Sequence, residues 1–202
     1  MSALSELYQE IAACRRCDLY RTRTRAVPGE GPADARIMFI GEAPGWHEDQ
    51  QGRPFVGPAG QFLDKLLASI GLKREQVYIT NVIKSRPPGN REPFPTEISA
   101  CRNWLNRQIE LISPKIIVTL GRYSMDMFFP GKSISKIHGT AQKRDGVIYF
   151  AMYHPAAALH QQSLREVLEA DIRKLPSLLA ESESLVETEI KEEPKPQQMS
   201  MF

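Results

Sequence analysis

Hydrophobic and polar positions alternate along this chain in blocks that predict strands and helices in turn. Four short apolar runs predict buried strands at residues 36–42, 77–84, 115–121 and 147–155. Apolar residues three and four positions apart predict an N-terminal helix and further helices at 60–71, 96–112 and 163–180. Apolar strands that alternate with helices are typical of α/β proteins. The pattern therefore predicts a three-layer α/β/α sandwich with a mostly parallel central sheet, built from residues 1–180.

The distribution of charge separates residues 181–202 from the rest of the chain. Residues 181–202 hold six acids and two lysines and are rich in Ser, Glu and Pro, so we expect a disordered acidic tail. That tail has a net charge of −4, which leaves +6 on residues 1–180. Five arginines between positions 15 and 25 concentrate the positive charge. Such a cluster is expected where phosphates are bound, although a solvated charged face is the commoner explanation.

The length of the apolar runs and the number of cysteines indicate the cellular compartment of the protein. No window approaches the roughly 20 apolar residues that a membrane span requires. The three cysteines, two of them in a CxxC, fit no closed disulfide framework and suggest metal or redox chemistry in a reducing compartment. We therefore expect a cytoplasmic protein.

Three of the predicted strands carry side chains suited to catalysis toward their carboxyl ends. Glu42 is the last residue of the first strand, Asn81 falls within the second, and His154 lies next to the end of the last. Since sites in such sheets lie beyond the carboxyl ends of the strands, the three are expected to converge. Each also has an ordinary structural explanation, as a cap, a turn residue or a buried histidine. Together they favour an active site.

Three segments carry a family resemblance that covers residues 1–180. GEAPGWHEDQQGRPFVGPAG (41–60), TNVIKSRPPGNREP (80–93) and YHPAAAL (153–159) resemble, in order, the motifs of family 4, iron–sulfur type, uracil-DNA glycosylases. The resemblance implies a monofunctional DNA repair enzyme that flips uracil from single- or double-stranded DNA and hydrolyses its N-glycosidic bond, leaving an abasic site. It further implies a monomer associated with a bacterial nucleoid.

By the same resemblance, four residues bind the base. Phe55 stacks on uracil, and the amide of Asn81 meets O4 and N3–H together while mismatching cytosine. The backbone N–H of Ala43 addresses the base, and Glu48 lies where it would occupy the space beside C5 and exclude thymine.

Cleavage makes the sugar positive and the departing uracil negative. His154 is expected to donate to uracil O2, and Glu42, supported by Asp49, to supply negative charge near the sugar and to position water. The best-known branch of the superfamily has a water-activating Asp where this chain has Ala43. Leu159 is the expected wedge in the vacated base stack, with packing against the last helix as an equal alternative.

Family 4 enzymes hold a four-iron four-sulfur cluster with four cysteines. The corresponding positions here are Cys14, Cys17, Ser85 and Cys101, so a serine replaces the third thiolate. A hydroxyl is a poorer iron ligand than a thiolate. Three outcomes stay open: a 4Fe-4S cluster completed by serine or water, a three-iron cluster, or cysteines that are merely buried. The retained spacing favours a compromised cluster with a structural role.

The last residues, Gln198-Met199-Ser200-Met201-Phe202, resemble the QLSLF-type pentapeptide that docks bacterial repair proteins on the sliding clamp. The alternative is an unstructured end. For the whole chain, the main competing function is a non-catalytic DNA-binding module that retained the glycosylase fold. Covalent capture of uracil-DNA is disfavoured because residues 84–95 contain no histidine, and a nucleotide-binding enzyme because no strand precedes a glycine-rich phosphate loop.

Overall fold

The four predicted apolar runs form strands of one sheet, which has a fifth strand at its edge. The computed structural model describes residues 2–182, so the tail beyond them and the pentapeptide Gln198 to Phe202 lie outside the described residues. The strands are β1 (Ile37–Gly41), β2 (Tyr78–Asn81), β3 (Ile116–Leu120), β4 (Ala141–Arg144) and β5 (Val147–Met152). They are ordered β2-β1-β3-β5-β4, and every pair is parallel except β4 with β5.

Helices connect the strands and cover both faces of the sheet. They are α1 (Ala3–Ala12), α2 (Trp46–Gln51), α3 (Pro58–Ser69), α4 (Pro95–Ile112), α5 (Arg122–Phe128), α6 (Ile134–Ile137), α7 (Ala157–His160) and α8 (Gln162–Ile172). Residues 175–182 are also helical. None of the helices within residues 2–182 combines the length and apolar character needed to cross a bilayer.

Two hydrophobic layers, one on each side of the sheet, hold this arrangement. On one side the apolar faces of α3 and α8 bury Leu63 and Leu168 against β1, β3 and β5. On the other side α1 and α4 bury Leu7 and Leu105 against the same strands and β2. Burying such side chains stabilises the fold by about 1.5–3 kcal/mol each. The predicted three-layer sandwich is confirmed.

The short helices α2, α5, α6 and α7 were not predicted, and three further differences have a clear physical reason. Strand β4 was not predicted, because its residues are all exposed, three of the four are polar, and it is paired only with β5 through a hairpin. The second strand ends at Asn81 rather than at residue 84, since the chain turns inward there and buries Lys84. The last helix is not continuous from 163 to 180, because a turn at 173–174 separates α8 from residues 175–182.

Strand order determines where a site can form. From β1 the chain passes to β2 on one side, and β3 then pairs with the other side of β1. Loops that leave the carboxyl ends of β1 and its neighbours therefore diverge and leave a crevice at that edge.

Candidate active site

A cavity of about 390 Å³ occupies the crevice at the carboxyl ends of the strands. Its lining comes from the loop after β1 and α2, the turn before α3, the end of β2 and its following loop, and the loop after β5. The lining residues are Glu42, Ala43, Pro44, Gly45, Glu48, Phe55, Ala59, Asn81, Pro87, Asn90, Arg91, His154 and Ala156. Six of the predicted site residues are thus brought together: Glu42, Ala43, Glu48, Phe55, Asn81 and His154.

Asn81 presents a buried oxygen to this cavity. Within residues 2–182, its Oδ1 is the one buried side-chain nitrogen or oxygen without a hydrogen-bond partner. Leaving a buried acceptor unpaired costs about 1–3 kcal/mol. Gly41 pairs with Asn81 across β1 and β2, and a Cβ on Gly41 would collide with this oxygen and with the Phe55 ring. The glycine is therefore needed for the amide and the ring to meet.

Phe55 is buried in the cavity wall on a strained backbone. Its φ is 51°, a left-handed value that costs a residue with a side chain about 1–3 kcal/mol. Arg74 holds this turn, since its guanidinium donates to the carbonyl oxygens of both Pro54 and Phe55, the latter at 3.0 Å. Gly60 packs directly against the Phe55 main chain, where a Cβ would overlap the carbonyl.

Arg74 is in turn held by carboxylates. Its Nε donates to Glu30 at 2.7 Å and its NH1 to Asp64 at 3.1 Å, with only 12% of its side chain exposed. Sequence patterns did not indicate a role for Arg74, because an isolated arginine on a short 3₁₀ turn (Arg74–Gln76) resembles any surface cation.

His154 is held as a neutral ring. Its Nδ1 accepts a hydrogen bond from the backbone N–H of Ala156 at 3.1 Å, which leaves the proton on Nε2. Burial lowers the pKa of His154 to about 4, a shift that the nearby Glu48 carboxylate opposes. Its ring lies nearly parallel to Phe55, with 5.5 Å between the ring centroids. The site thus has a neutral donor beside an aromatic wall at ordinary pH.

The pKa of Glu42 is shifted upward, whereas that of His154 is shifted downward. Burial raises the pKa of Glu42 to about 7; the charge of Glu92 adds to the rise and Arg122 opposes it. Glu92 and Arg122 form a 3.0 Å ion pair with each other, and Tyr123 donates to Glu92 at 2.6 Å. Glu42 therefore gains or loses its proton near neutral pH.

The Glu48 carboxylate organises the main chain of the cavity wall. Its Oε1 accepts from the N–H groups of Val56 and Gly57 at 2.9 and 2.8 Å, and its Oε2 accepts from Gly45 at 3.1 Å. These bonds cap α2 and tie it to the Phe55 turn. Glu48 lines the cavity as expected, with its oxygens engaged by the backbone.

Two predicted residues are not brought to the cavity. Asp49 is buried, and its carboxylate accepts from the backbone N–H of Thr24 at 2.9 and 3.1 Å, which fastens the arginine-rich segment to α2. Leu159 lies on α7 with 48% of its surface exposed, in the wall of a second, neighbouring cavity.

The three cysteines lie in one hydrophobic layer between α1, α4 and the arginine-rich loop. Cys101 is buried with Cys14 and Cys17 packed at the same layer, and all three are free thiols. The indole of Trp104 donates to Cys14 Sγ at 3.3 Å. At the fourth position, the Ser85 hydroxyl is buried and accepts from Arg23 at 2.9 Å. Within residues 2–182, no group of three or more His, Cys, Asp or Glu side chains is arranged to hold a metal ion.

Lys84 links this cysteine layer to Asn81. Its ammonium is fully buried and donates to the Asn81 carbonyl, Thr80 Oγ1 and Gln108 Oε1 at 2.6–2.7 Å. Burial lowers the pKa of Lys84 to about 7, and the nearby Cys101 opposes the shift. Sequence reasoning missed this residue, since a lysine at the end of an apolar run normally points to solvent.

The loop between β2 and α4 adds lining residues that were not among the predicted site residues. Pro87, Asn90 and Arg91 line the cavity. Arg91 makes a bidentate pair with Glu97 at 2.7 and 2.9 Å, and its guanidinium stacks 3.7 Å from the centre of the Phe94 ring. The PPGN sequence was the available signal, because such residues form tight turns at functional loops.

Comparisons with known proteins agree with this geometry. Residues 28–175 match the model of the uracil DNA glycosylase superfamily. The type-4 uracil-DNA glycosylase of Sulfurisphaera tokodaii is 49% identical over 88% of this chain and 86% of its own. Those of Archaeoglobus fulgidus and Thermotoga maritima are 46% and 44% identical, over 88% and 87% of this chain and 94% and 95% of their own.

Replacing Arg74 by Met tests whether this side chain holds the Phe55 turn. We expect a loss of about 3 kcal/mol in the free energy of unfolding, because two buried carbonyls and Asp64 lose their donor. Arg53→Met is the matched control: Arg53 pairs with the same Glu30 but is 56% exposed, so its loss should cost under about 1 kcal/mol. Urea unfolding measures both, and equal costs would contradict this role of Arg74.

Proposed function

This chain belongs to the uracil DNA glycosylase superfamily, among its type-4 members, and we propose that the cavity at the strand ends binds the uracil that it excises from DNA. The reaction is hydrolysis of the N-glycosidic bond, which releases free uracil and leaves an abasic site. A duplex hides the bond, so the nucleotide has to leave the base stack before it enters the cavity.

The observation that carries the proposal is the unpaired Asn81 oxygen. Uracil offers an N3–H donor and an O4 acceptor side by side, which complement the Oδ1 acceptor and Nδ2 donor of one amide. Cytosine presents an acceptor at N3 and a donor at N4, so it would leave the buried oxygen unpaired. A site built to hydrogen-bond one base rejects the reversed pattern strongly.

Other cavity residues fit the same ligand. The Phe55 ring offers a face for stacking, and the Ala43 N–H lies on the loop that would address the base. Glu48 is fixed by three backbone donors, so it supports a rigid wall beside C5 that would exclude the thymine methyl. The thymine methyl would then be excluded by the bulk of this wall rather than by the negative charge of Glu48.

His154 would stabilise the departing base. Because Nδ1 accepts from Ala156, Nε2 is the donor available for uracil O2 as negative charge accumulates there. A neutral imidazole retains its own proton and donates a hydrogen bond without protonating the base. The low pKa of His154 keeps it in this form throughout the physiological range.

Glu42 would act on the other side of the bond. As a carboxylate it stabilises the positive charge that develops on the sugar and orients the attacking water. Asp49 acts at most through structure, since it fastens α2 and the arginine-rich segment rather than lining the cavity. Leu159 is exposed at the rim of the neighbouring cavity, where it could enter the base stack as a wedge.

The iron–sulfur cluster of the type-4 family is part of the proposal in modified form. Cys14, Cys17 and Cys101 share one layer, and the buried Lys84 ammonium beside Cys101 donates to a hydroxyl, a backbone carbonyl and a side-chain amide oxygen, which are all neutral. An anionic group held by thiolates would balance that charge. The three thiols have the soft sulfur that iron–sulfur clusters use, although they are not gathered around one metal position, whereas Ser85 offers a hydroxyl already bonded to Arg23. A cluster here would be structural and would fix the arginine-rich loop.

The remaining expectations concern partners and place. Single- and double-stranded uracil-DNA are both substrates in this proposal, for a monomer acting in the cytoplasm at a bacterial nucleoid. The segment Gln198 to Phe202 would tether the enzyme to the sliding clamp and raise its concentration at new DNA.

Incubation with a uracil-containing oligonucleotide tests the function directly. We expect free uracil, and strand breakage only after alkali, because the bond to the base is cut and the backbone is not. His154→Ala should slow the chemical step by about 10²–10³-fold, whereas His160→Ala, an exposed histidine on α7, should not. DNA binding without uracil release would instead indicate a non-catalytic module.

The pH dependence of the chemical step tests the role of Glu42. Since its folded pKa is raised to about 7, the active carboxylate is present above pH 7 and lost below it. The single-turnover rate should therefore fall about tenfold per pH unit below 7 and level off above 8. Glu92→Gln should move this limb to lower pH and Arg122→Gln to higher pH. Unmoved limbs in both variants would contradict the assignment.

Ser85→Cys tests the fourth ligand position. We expect the variant to contain more iron and sulfide after anaerobic purification and to lose iron more slowly to a chelator, because a thiolate is the better ligand. Ser124→Cys, at a buried serine on α5, controls for an added thiol. Equal, full iron in wild type and Ser85→Cys would show that the serine is no handicap, and iron-free protein throughout would show that the cysteines are merely buried.

A further inference from the structure

A second cavity, of about 220 Å³, lies between α3 and the α7–α8 segment. We call it the basic cleft, and its polar lining is Gln61, Lys65 and Arg165. Phe62 and Leu159 supply its apolar wall. None of the roles assigned above to the uracil cavity uses these cations.

The basic cleft has two cations and no carboxylate in its lining. Lys65 lies on the exposed side of α3, and the Arg165 guanidinium lies over the Phe62 ring, 5.0 Å from its centre. Glu169 approaches Arg165 from the next turn of α8 at 3.5 Å, with both side chains about 40% exposed. This single carboxylate offsets at most one of the two cations, so a net positive charge remains beside the basic cleft.

The basic cleft adjoins the uracil cavity through both of its walls. On α3, Ala59 lines the uracil cavity, while Pro58 and Gln61 line the basic cleft. On the loop after β5, Ala156 lines the former and Ala158 and Leu159 the latter. A DNA strand with one nucleotide in the uracil cavity can therefore continue directly across this short divide.

We propose that the basic cleft binds a backbone phosphate of the substrate strand, one or two nucleotides from the flipped uracil, between Lys65 and Arg165. The proposal rests on the proposed function for the identity of the strand. A phosphodiester suits this lining, because the two cations match its charge, the Gln61 amide can donate to its oxygens, and Phe62 and Leu159 can pack against sugar. The contact holds the strand in place while its neighbouring nucleotide is out of the stack.

Neutral methylphosphonate linkages locate the contact. Each linkage within three positions of the uracil is replaced singly, and binding of the oligonucleotide is measured by fluorescence anisotropy. In the wild-type protein, one position close to the uracil should weaken binding about tenfold. In Lys65→Gln/Arg165→Gln the same replacement should cost little, because its protein partner has already been removed.

Salt dependence gives a second readout. The double variant should bind about tenfold more weakly at low salt, and the slope of log affinity against log salt should fall by about 1, as expected for one lost phosphate contact. Glu169→Gln should strengthen binding by removing the competing acid, and Lys65→Arg should retain it. Lys115→Gln/Lys143→Gln removes the same charge at the opposite edge of the sheet, and it should change affinity less.

Two separate measurements distinguish a basic cleft that binds no phosphate from a protein that excises no uracil. Binding of uracil-free single strands reports on the basic cleft even if no uracil is released, and uracil release reports on the active site even if the basic cleft plays no part. Equal affinity and equal salt slope for the wild type and the Lys65/Arg165 double variant would overturn the proposal. An equal effect of every methylphosphonate in both proteins would overturn it as well.

Discussion

The unpaired side-chain oxygen of Asn81 is the constraint around which the rest of the site is arranged. A buried acceptor without a donor costs the fold about 1–3 kcal/mol, and uracil can repay that cost where cytosine cannot. Keeping this buried oxygen free of protein donors requires close packing around it. Gly41 provides the space on one side, and Lys84 fixes the Asn81 main chain from behind. Specificity thus depends on a cost carried by the folded protein.

The pKa values of two ionisable groups in the cavity are shifted in opposite directions, which suits one to be an anion and the other a neutral donor. Burial disfavours charge on both, so the pKa of Glu42 rises to about 7 and that of His154 falls to about 4. The Glu92–Arg122 pair sets the remaining balance for the carboxylate. In the proposed mechanism, this divergence suits an anion on the sugar side and a neutral donor on the base side.

Sequence patterns predicted what depends on periodicity and strand ends. The sheet, its covering helices and the meeting of Glu42, Asn81 and His154 follow from apolar runs that end at one edge. Asp49 could not be placed, since one residue's shift along a short helix turns a carboxylate from the cavity to Thr24. Arg74 was missed because its partners, two main-chain carbonyls and two carboxylates, are distant in sequence. Lys84 was missed because it turns inward at the end of an apolar run. Strand β4 has no apolar residues to reveal it beyond a single alanine.

The central claim is that the Asn81 amide recognises the hydrogen-bonding edge of uracil. Inhibition of excision by free uracil and by 3-methyluracil, whose N3 carries no hydrogen, tests it most directly, because neither measurement depends on DNA contacts. We expect uracil to inhibit at least tenfold more strongly than 3-methyluracil, because a buried hydrogen bond is worth about 1–3 kcal/mol. Asn81→Ala should remove most of this difference in inhibition. Equal inhibition of the wild-type protein by the two compounds would contradict it.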